Sequence, residues 1–228
     1  MENVAVIAFD ADDTLWSNEP YFRAVEDKFC VLLEDYMPMH SISRELLKIE
    51  IANLDRYGYG IKSFMLSMIE AAIVISEGTI PIKVINQILE LGKEMLDHDV
   101  VLLDGVEDVL SALQGKYRLV LATKGDLLDQ QRKLDKSGLS KYFHHIEIMS
   151  EKNEKEYSKI LKHMDIDAHQ FAMVGNSLKS DVLPVLNLGG YGFHIPFHAI
   201  WEMEKVDVNI THEKFRELAT IKDLLSII

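Results

Sequence analysis

From Tyr117 to Ile195 short apolar runs alternate with segments of helical period, and that alternation leaves few folds open to this chain. The runs are Tyr117 to Ala122, His145 to Met149, Phe171 to Val174 and Tyr191 to Ile195. Between them lie Leu127 to Lys136, Glu154 to Met164 and Leu178 to Leu188, the first stopped by Gly138 and the last by Gly189-Gly190. Strands alternating with helices imply βαβ units and a parallel sheet. Val4 to Phe9 has the same apolar character and reads as a further buried parallel strand. Val106 to Leu113 and Ile221 to Ile228 read as helices.

The first strand is separated from the rest by a long helical block. From Glu19 to about Asp97, apolar residues such as Phe22, Val25, Phe29, Leu32 and Leu33 recur at a spacing of roughly 3.6 residues. Pro81 opens a helix from Ile82, and Tyr57-Gly58-Tyr59-Gly60 reads as a loop. The block contains no convincing strand and predicts a bundle of roughly four helices. The expected organisation is an α/β core over 1–15 and 100–228, interrupted by a helical insert over 16–99.

Charge and composition narrow the partners. A net charge of −13 disfavours nucleic acid and anionic membranes, so any anion site must be local. No apolar run approaches the roughly 20 residues of a membrane span, and the N-terminus lacks the pattern of a signal peptide. The single cysteine, Cys30, excludes an internal disulfide and a multi-cysteine zinc site. It sits in an apolar stretch, reads as a core residue, and suits a cytoplasmic location.

In open parallel sheets ligands bind beyond the carboxyl ends of the strands. The first strand ends Asp10-Ala11-Asp12-Asp13-Thr14. Two carboxylates about 4 Å apart repel by roughly 4 kcal/mol at an effective dielectric near 20, a cost that a divalent cation removes. An oxygen-rich acidic site suits magnesium. The second strand ends in Thr123, the third is followed by Lys152, and the fourth ends Gly175-Asn176-Ser177 with Asp181 beyond. Taken singly, these positions also read as ordinary turn and cap residues: a solvated acidic turn, a threonine in a βα turn, a solvated lysine, a helix N-cap. Their order at four successive strand ends is what sets them apart.

In that order they resemble the haloacid dehalogenase superfamily, whose first motif is Asp-x-Asp-x-Thr after an apolar strand. Asp10, Asp12 and Thr14 match it, Thr123 the second motif, Lys152 the third, and Gly175-Asn176-Ser177 with Asp181 the fourth. The resemblance implies a doubly wound, Rossmann-like parallel sheet with an α-helical cap inserted after the first motif. It implies a magnesium-dependent phosphohydrolase acting on a small phosphorylated substrate. Asp10 would be the nucleophile that forms an aspartyl-phosphate, and Asp12 the general acid and base. Thr123 would hold the phosphoryl oxygens and Lys152 would steady the phosphoryl charge. Magnesium would be held by Asp10, the backbone carbonyl of Asp12, Asn176 and Asp181.

Two departures stand out. The fourth motif begins Gly-Asn where the family usually has Gly-Asp, so Asn176 brings an oxygen but no charge, and weaker magnesium affinity is expected. The third motif lacks the usual proline after its lysine, which leaves Lys155 as an alternative to Lys152. Four alternative functions remain open: carbon–halogen cleavage, phosphonate cleavage, phosphoryl transfer by a phosphomutase, and a non-catalytic binding role. Asp12 weighs against the first, since a leaving halide needs no proton. Trp16, Glu19, Arg23 and Tyr57 are candidate cleft residues, with Trp16 and Tyr57 equally readable as packing residues and Arg23 as a solvated helix residue; His194, His198 and Trp201 follow the fifth strand without forming a convincing metal set.

Overall fold

A computed structural model describes residues 3–228, which group into two compact units. One comprises the chain up to Glu19, Val100–Lys124 and Gln130–Ile228. The other comprises Pro20–Asp99 and Gly125–Asp129.

The first unit is built on a six-stranded, all-parallel sheet: β1 (Val6–Phe9), β2 (Arg118–Lys124), β3 (His145–Met149), β4 (Phe171–Gly175), β5 (Tyr191–His194) and β6 (Phe215–Glu217). The strand order is β3-β2-β1-β4-β5-β6. Side chains alternate across a strand, so β1 feeds two separate cores. Ile7 and Phe9 pack with Val106, Val109 and Leu110 of a helix at Val106–Leu113 and with Leu224 near the C-terminus. Val6 and Ala8 pack on the other face with Tyr157, Ile160 and Met164 of the helix Glu154–Met164 and with Val185. Burial on both faces explains why these strands read as continuous apolar runs. The result is the parallel α/β sheet that the alternation of the sequence predicts, in the doubly wound, Rossmann-like form that the resemblance implies. The strand order reverses between β1 and β4, the place where such sheets bind ligands.

Three details differ from the sequence expectation. The strand β6 was not foreseen: Phe-Arg-Glu carries no apolar run, because an edge strand lying half in solvent needs none. It is set against β5 by bonds such as Leu218 N–H to His194 O at 2.8 Å. The expected helix from Leu178 to Leu188 is divided into a π-helical turn at Leu178–Val182 and a short α-helix at Leu183–Leu188. Pro184 stands in the first turn of the latter, where its missing N–H is tolerated. The C-terminal segment is a 3-10 helix at Ile221–Ser226, capped by Thr220 and Asp223, and not an α-helix.

The second unit holds the helices α1 (Glu19–Leu32), α2 (Met39–Tyr57), α3 (Ile61–Ile75) and α4 (Ile82–Asp97). Its core is formed by Phe29, Leu33, Ile42, Leu46, Met68, Ala71, Ala72 and Ile88. Small residues let these helices approach: a Cβ on Gly92 would lie 2.5 Å from the Met65 sulfur. Cys30 is buried here, and burial, with Glu26 and Asp27 adding to it, pushes its thiol up to about 11. That is the environment of a packing residue and not of a reactive thiolate. No helix among the described residues is long and apolar enough to cross a membrane.

Candidate active site

The acidic stretch after β1 is a tight turn. Leu15 N–H returns to Ala11 O at 2.8 Å, and Asp13 adopts a left-handed φ of 60°. That conformation strains a residue with a Cβ, and Asp tolerates it better than most. Asp13 is used structurally: its carboxylate accepts from Asn18 N at 2.8 Å and from Glu19 N at 3.0 Å, capping the start of the next helix. Burial pushes its carboxyl up to about 7 in spite of those two N–H donors.

Asp10 opens the turn and is buried. Its N–H donates to Val174 O on β4 at 2.9 Å, which ties it to the strand that carries the fourth cluster. Thr14 Oγ1 donates to Asp10 Oδ2 at 3.2 Å and also lies 3.4 Å from Asn176 Oδ1, while Asn176 N–H donates to Thr14 Oγ1 at 3.1 Å. One hydroxyl thus bridges β1 to β4. Burial pushes Asp10 up to about 7; the opposing charge of Lys152 pulls it down, and Asp181 and Asp12 push it up again.

Lys152 is 6% exposed and bonds to Asp10 Oδ1 and, at 2.6 Å, to Asp181 Oδ1. It stands just before Asn153, whose side chain accepts from Glu156 N at 3.1 Å and caps the helix Glu154–Met164. Burial alone would favour neutral lysine, but Asp10 and Asp181 outweigh it and hold the ammonium well above the usual lysine range. Lys155, the alternative, is exposed on the same helix.

Asp181 is reached by the π-helical turn. Its Oδ2 accepts from Ser177 N at 3.0 Å. A Cβ on Gly175 would stand 2.2 Å from that oxygen, so no larger residue fits at the end of β4. π-bulges recur at functional sites because they re-aim a side chain, and here the re-aimed group is Asp181.

Asp12 is held by a separate set of donors. Trp16 Nε1 donates to its Oδ1 at 2.7 Å and Gln130 Nε2 to its Oδ2 at 2.9 Å. Lys133 Nζ reaches the two oxygens at 2.9 Å and 3.1 Å, and also Asn18 Oδ1 at 2.8 Å. Gln130 Nε2 lies 2.7 Å from Thr123 Oγ1 and 3.0 Å from Lys124 O as well. Its own Oε1 is buried without a partner. An unmade bond of that kind costs about 1–3 kcal/mol, so the amide orientation is dictated by the acceptors that crowd its nitrogen.

A second layer stands behind the fourth cluster. Glu204 pairs with Lys124 at 2.6 Å and accepts from Ser180 Oγ at 2.6 Å and from Ser177 Oγ at 2.5 Å. Burial would raise its carboxyl, but the Lys124 charge and these hydrogen bonds lower it to about 2. His194 lies under the same turn, its Nε2 3.0 Å from Asn176 O.

The structure therefore brings Asp10, Lys152, Asn176 and Asp181 into one bonded network, and joins Asp12 to Thr123 through Gln130. Sequence reasoning missed Gln130, Lys133 and Glu204. Trp16, weighed as a cleft or packing residue, is 1% exposed and holds Asp12. The one available signal for Gln130 and Lys133 was their spacing of three along one helix face after the second strand.

The donors around Asp10 suit a hard divalent cation. Asp10 Oδ2 and Asn176 Oδ1 are both oxygens and converge on one hydroxyl. Asp181 accepts from Lys152 and from Ser177 N–H, one on each oxygen, and keeps lone pairs for an ion or for a water bound to it. The carboxylate of Asp12 is turned to Gln130 and Lys133, which leaves its backbone carbonyl for that task. Among the described residues, one other group with metal-ligand chemistry, His145, Glu147 and His163, involves the edge strand β3 and none of these strand ends.

A family model described as haloacid dehalogenase-like hydrolase matches residues 4–189. No curated protein matches significantly. Among solved structures, a haloacid dehalogenase-like family hydrolase from Xanthomonas campestris is 38% identical, with a TM-score of 0.89 over 99% of this chain and 90% of that one. A HAD phosphatase from Thermococcus onnurineus is similar at 18% identity and a TM-score of 0.67, covering 98% of this chain and 97% of its own. The HAD-hydrolase YfnB from Bacillus subtilis, solved with magnesium bound, shares 17% identity at a TM-score of 0.65, with 99% of each chain covered. Over most of its length, then, and with the motif residues gathered at the strand ends, the chain belongs to the haloacid dehalogenase-like hydrolases.

Proposed function

We propose that this hydrolase is a phosphatase that cleaves a small phosphorylated metabolite through an aspartyl-phosphate on Asp10. The observation that carries the reading is the bond from Gln130 Nε2 to both Asp12 Oδ2 and Thr123 Oγ1. It sets a carboxylate next to a hydroxyl whose own proton is left to donate to a phosphoryl oxygen.

In the first step an Asp10 oxygen bonds to phosphorus, the bond from phosphorus to the leaving oxygen breaks, and Asp12 gives that oxygen its proton. In the second, Asp12 takes a proton from water, the water oxygen bonds to phosphorus, and the bond to Asp10 breaks, releasing inorganic phosphate. Lys152 holds the Asp10 carboxylate in place and offsets negative charge as it gathers on the phosphoryl group. Thr14 orients the second Asp10 oxygen. Magnesium, held by Asp10, the Asp12 carbonyl, Asn176 and, directly or through water, Asp181, would screen the nucleophile from the anionic substrate. Asn176 adds no charge to that set, so its affinity should be lower than with an aspartate there.

Carbon–halogen cleavage fits less well, because Asp12 and the residues that hold it have no part in expelling halide. The test is hydrolysis of p-nitrophenyl phosphate with and without magnesium, followed by a panel of sugar phosphates, nucleotides, phosphorylated acids and pyrophosphate. Magnesium-dependent turnover supports the reading; an inactive chain over the whole panel, in the presence of magnesium, rejects it.

A further inference from the structure

Asp12 is the most heavily held carboxylate of the site, and the groups that hold it come from outside the four motifs. Trp16, Gln130 and Lys133 supply donors to its two oxygens, at 2.7 to 3.1 Å. Gln130 and Lys133 stand on one face of the helix Leu127–Ser137. Gln130 is 2% exposed and the Lys133 side chain 15% exposed, so neither is a solvated surface group. Lys133 is itself steadied by Asn18 Oδ1. Gln130 keeps this arrangement although its Oε1 is buried with no partner. Placement of the nitrogen therefore outweighs satisfaction of the oxygen.

We propose that Gln130 and Lys133 are positioning residues that fix the Asp12 carboxylate, relative to Thr123, for its work as the base that activates water in the second step. The proposal rests on the phosphatase reading, which gives Asp12 that role. A free aspartate on a turn would sample several rotamers, and base catalysis is lost in all those that face away from the water. Gln130 couples the carboxylate to the hydroxyl that contacts the phosphoryl group, and the Lys133 ammonium keeps it from turning out toward solvent. Both act through Asp12, and neither touches the reacting atoms.

The two steps separate the proposal from a merely structural role. p-Nitrophenolate leaves without needing a proton, so with p-nitrophenyl phosphate the first step is nearly blind to Asp12, whereas the second still requires it. The experiment compares wild type, Lys133→Met, Gln130→Met and Lys133→Arg, with magnesium present. It reads the pre-steady-state burst of p-nitrophenol, kcat, and the fraction of chain carrying a phosphoryl group by intact mass. In Lys133→Met and Gln130→Met, kcat is expected to fall about tenfold or more, within the range general base catalysis supplies, while the burst rate changes little. Phosphoenzyme then accumulates toward one per chain. Lys133→Arg keeps a cation in reach and restores most of kcat.

Unchanged kcat in the two methionine variants overturns the proposal. So does a parallel fall of burst and kcat with no rise in phosphoenzyme, which is how a damaged fold behaves. A wild-type chain that turns over beside unaffected variants removes the clamp alone. A wild-type chain that neither turns over nor becomes phosphorylated removes the phosphatase reading and the clamp with it.

Discussion

Between Pro20 and Asp99 the buried polar side chains are Asn53, Ser63, Ser67 and Ser76, all uncharged, whereas the strand ends of the α/β unit bury Asp10, Asp13, Lys152 and Asp181. The segment Pro20–Asp99 is thus a packing solution, and a buried carboxylate of the helical unit, Asp129, lies on its other segment, Gly125–Asp129. The polar groups of Pro20–Asp99 are few and satisfied locally, as where Asn53 Nδ2 donates to Ser67 Oγ at 3.2 Å and to Glu70 Oε2 at 2.8 Å. The α/β unit accepts the desolvation of several charges at one place. Buried ion pairs add little net stability compared with apolar residues of the same volume, so their concentration at the strand ends is evidence of chemistry and not of a better fold.

The comparison breaks most visibly at Asp10. Asp10→Asn should lower kcat/KM by at least about 10⁴-fold, as loss of a nucleophile does. Its effect on stability should run the other way at high pH. With its folded value pushed up to about 7 from 3.8, Asp10 binds its proton more tightly in the folded metal-free chain than in the unfolded one. Its contribution is fully present below about 3.8 and is lost as pH rises through about 7. Denaturant unfolding of the chain in chelator should therefore show stability declining over that window in wild type and declining less in Asp10→Asn. Equal slopes would mean that Lys152 fully offsets the burial of Asp10.

The next test sets one unit against the other. Lys152→Met leaves Asp10 and Asp181 buried without their cation and should cost about 3–5 kcal/mol near neutral pH. Phe29→Ala opens a cavity in the helical core and should cost a similar amount, about 3–5 kcal/mol. The two losses differ in origin, so acid distinguishes them. Protonating the stranded carboxylates relieves the Lys152→Met loss, while the Phe29→Ala loss stays level. Two losses with the same pH dependence would show that Lys152 acts as packing and not as a counterion.

These contrasts follow how much of the molecule was legible in advance. The parallel sheet was legible because strands buried on both faces must be apolar throughout, as Val6–Phe9 and Phe171–Gly175 are. The edge strand Phe215–Glu217 was not, since a half-solvated edge carries no such signature. Asp10, Thr123, Lys152 and Asp181 could be read because each follows an apolar run directly, stands just before the cap of the following helix or lies in that helix, where local spacing is informative. Gln130, Lys133 and Glu204 could not: an amide, an ammonium and a carboxylate on polar segments look like solvated residues until tertiary folding buries them. The π-helical turn at Leu178–Val182 was equally hidden, because helix propensity does not distinguish a π turn from an α turn.

Glu204 gives a smaller and sharper version of the same contrast. Its folded value, lowered to about 2 from 4.5, means that its stabilising share is present above about 4.5 and is lost as pH falls through about 2. Glu204→Gln should cost about 1–3 kcal/mol at neutral pH by weakening charge-assisted bonds to Lys124, Ser177 and Ser180. The gap between variant and wild type should close on acidification, opposite in sign to the Asp10 effect. A gap that holds constant would assign Glu204 a role in shape alone.

The smallest effect belongs to the surface of the helical unit, and it decides whether that unit really rests on packing. Lys28 and Glu94 join α1 to α4 at 3.5 Å, with side chains 59% and 65% exposed. A pair so exposed gains little Coulomb energy in water and must restrain two long side chains to do it. Lys28→Ala should therefore change stability by less than about 1 kcal/mol, with no more than a slight dependence on salt. Urea unfolding at low and high ionic strength measures both. A larger loss that salt removes would mean that the helical unit, like the strand ends, depends on charge, and the division between a unit built by packing and a unit that concentrates charge for chemistry would fail.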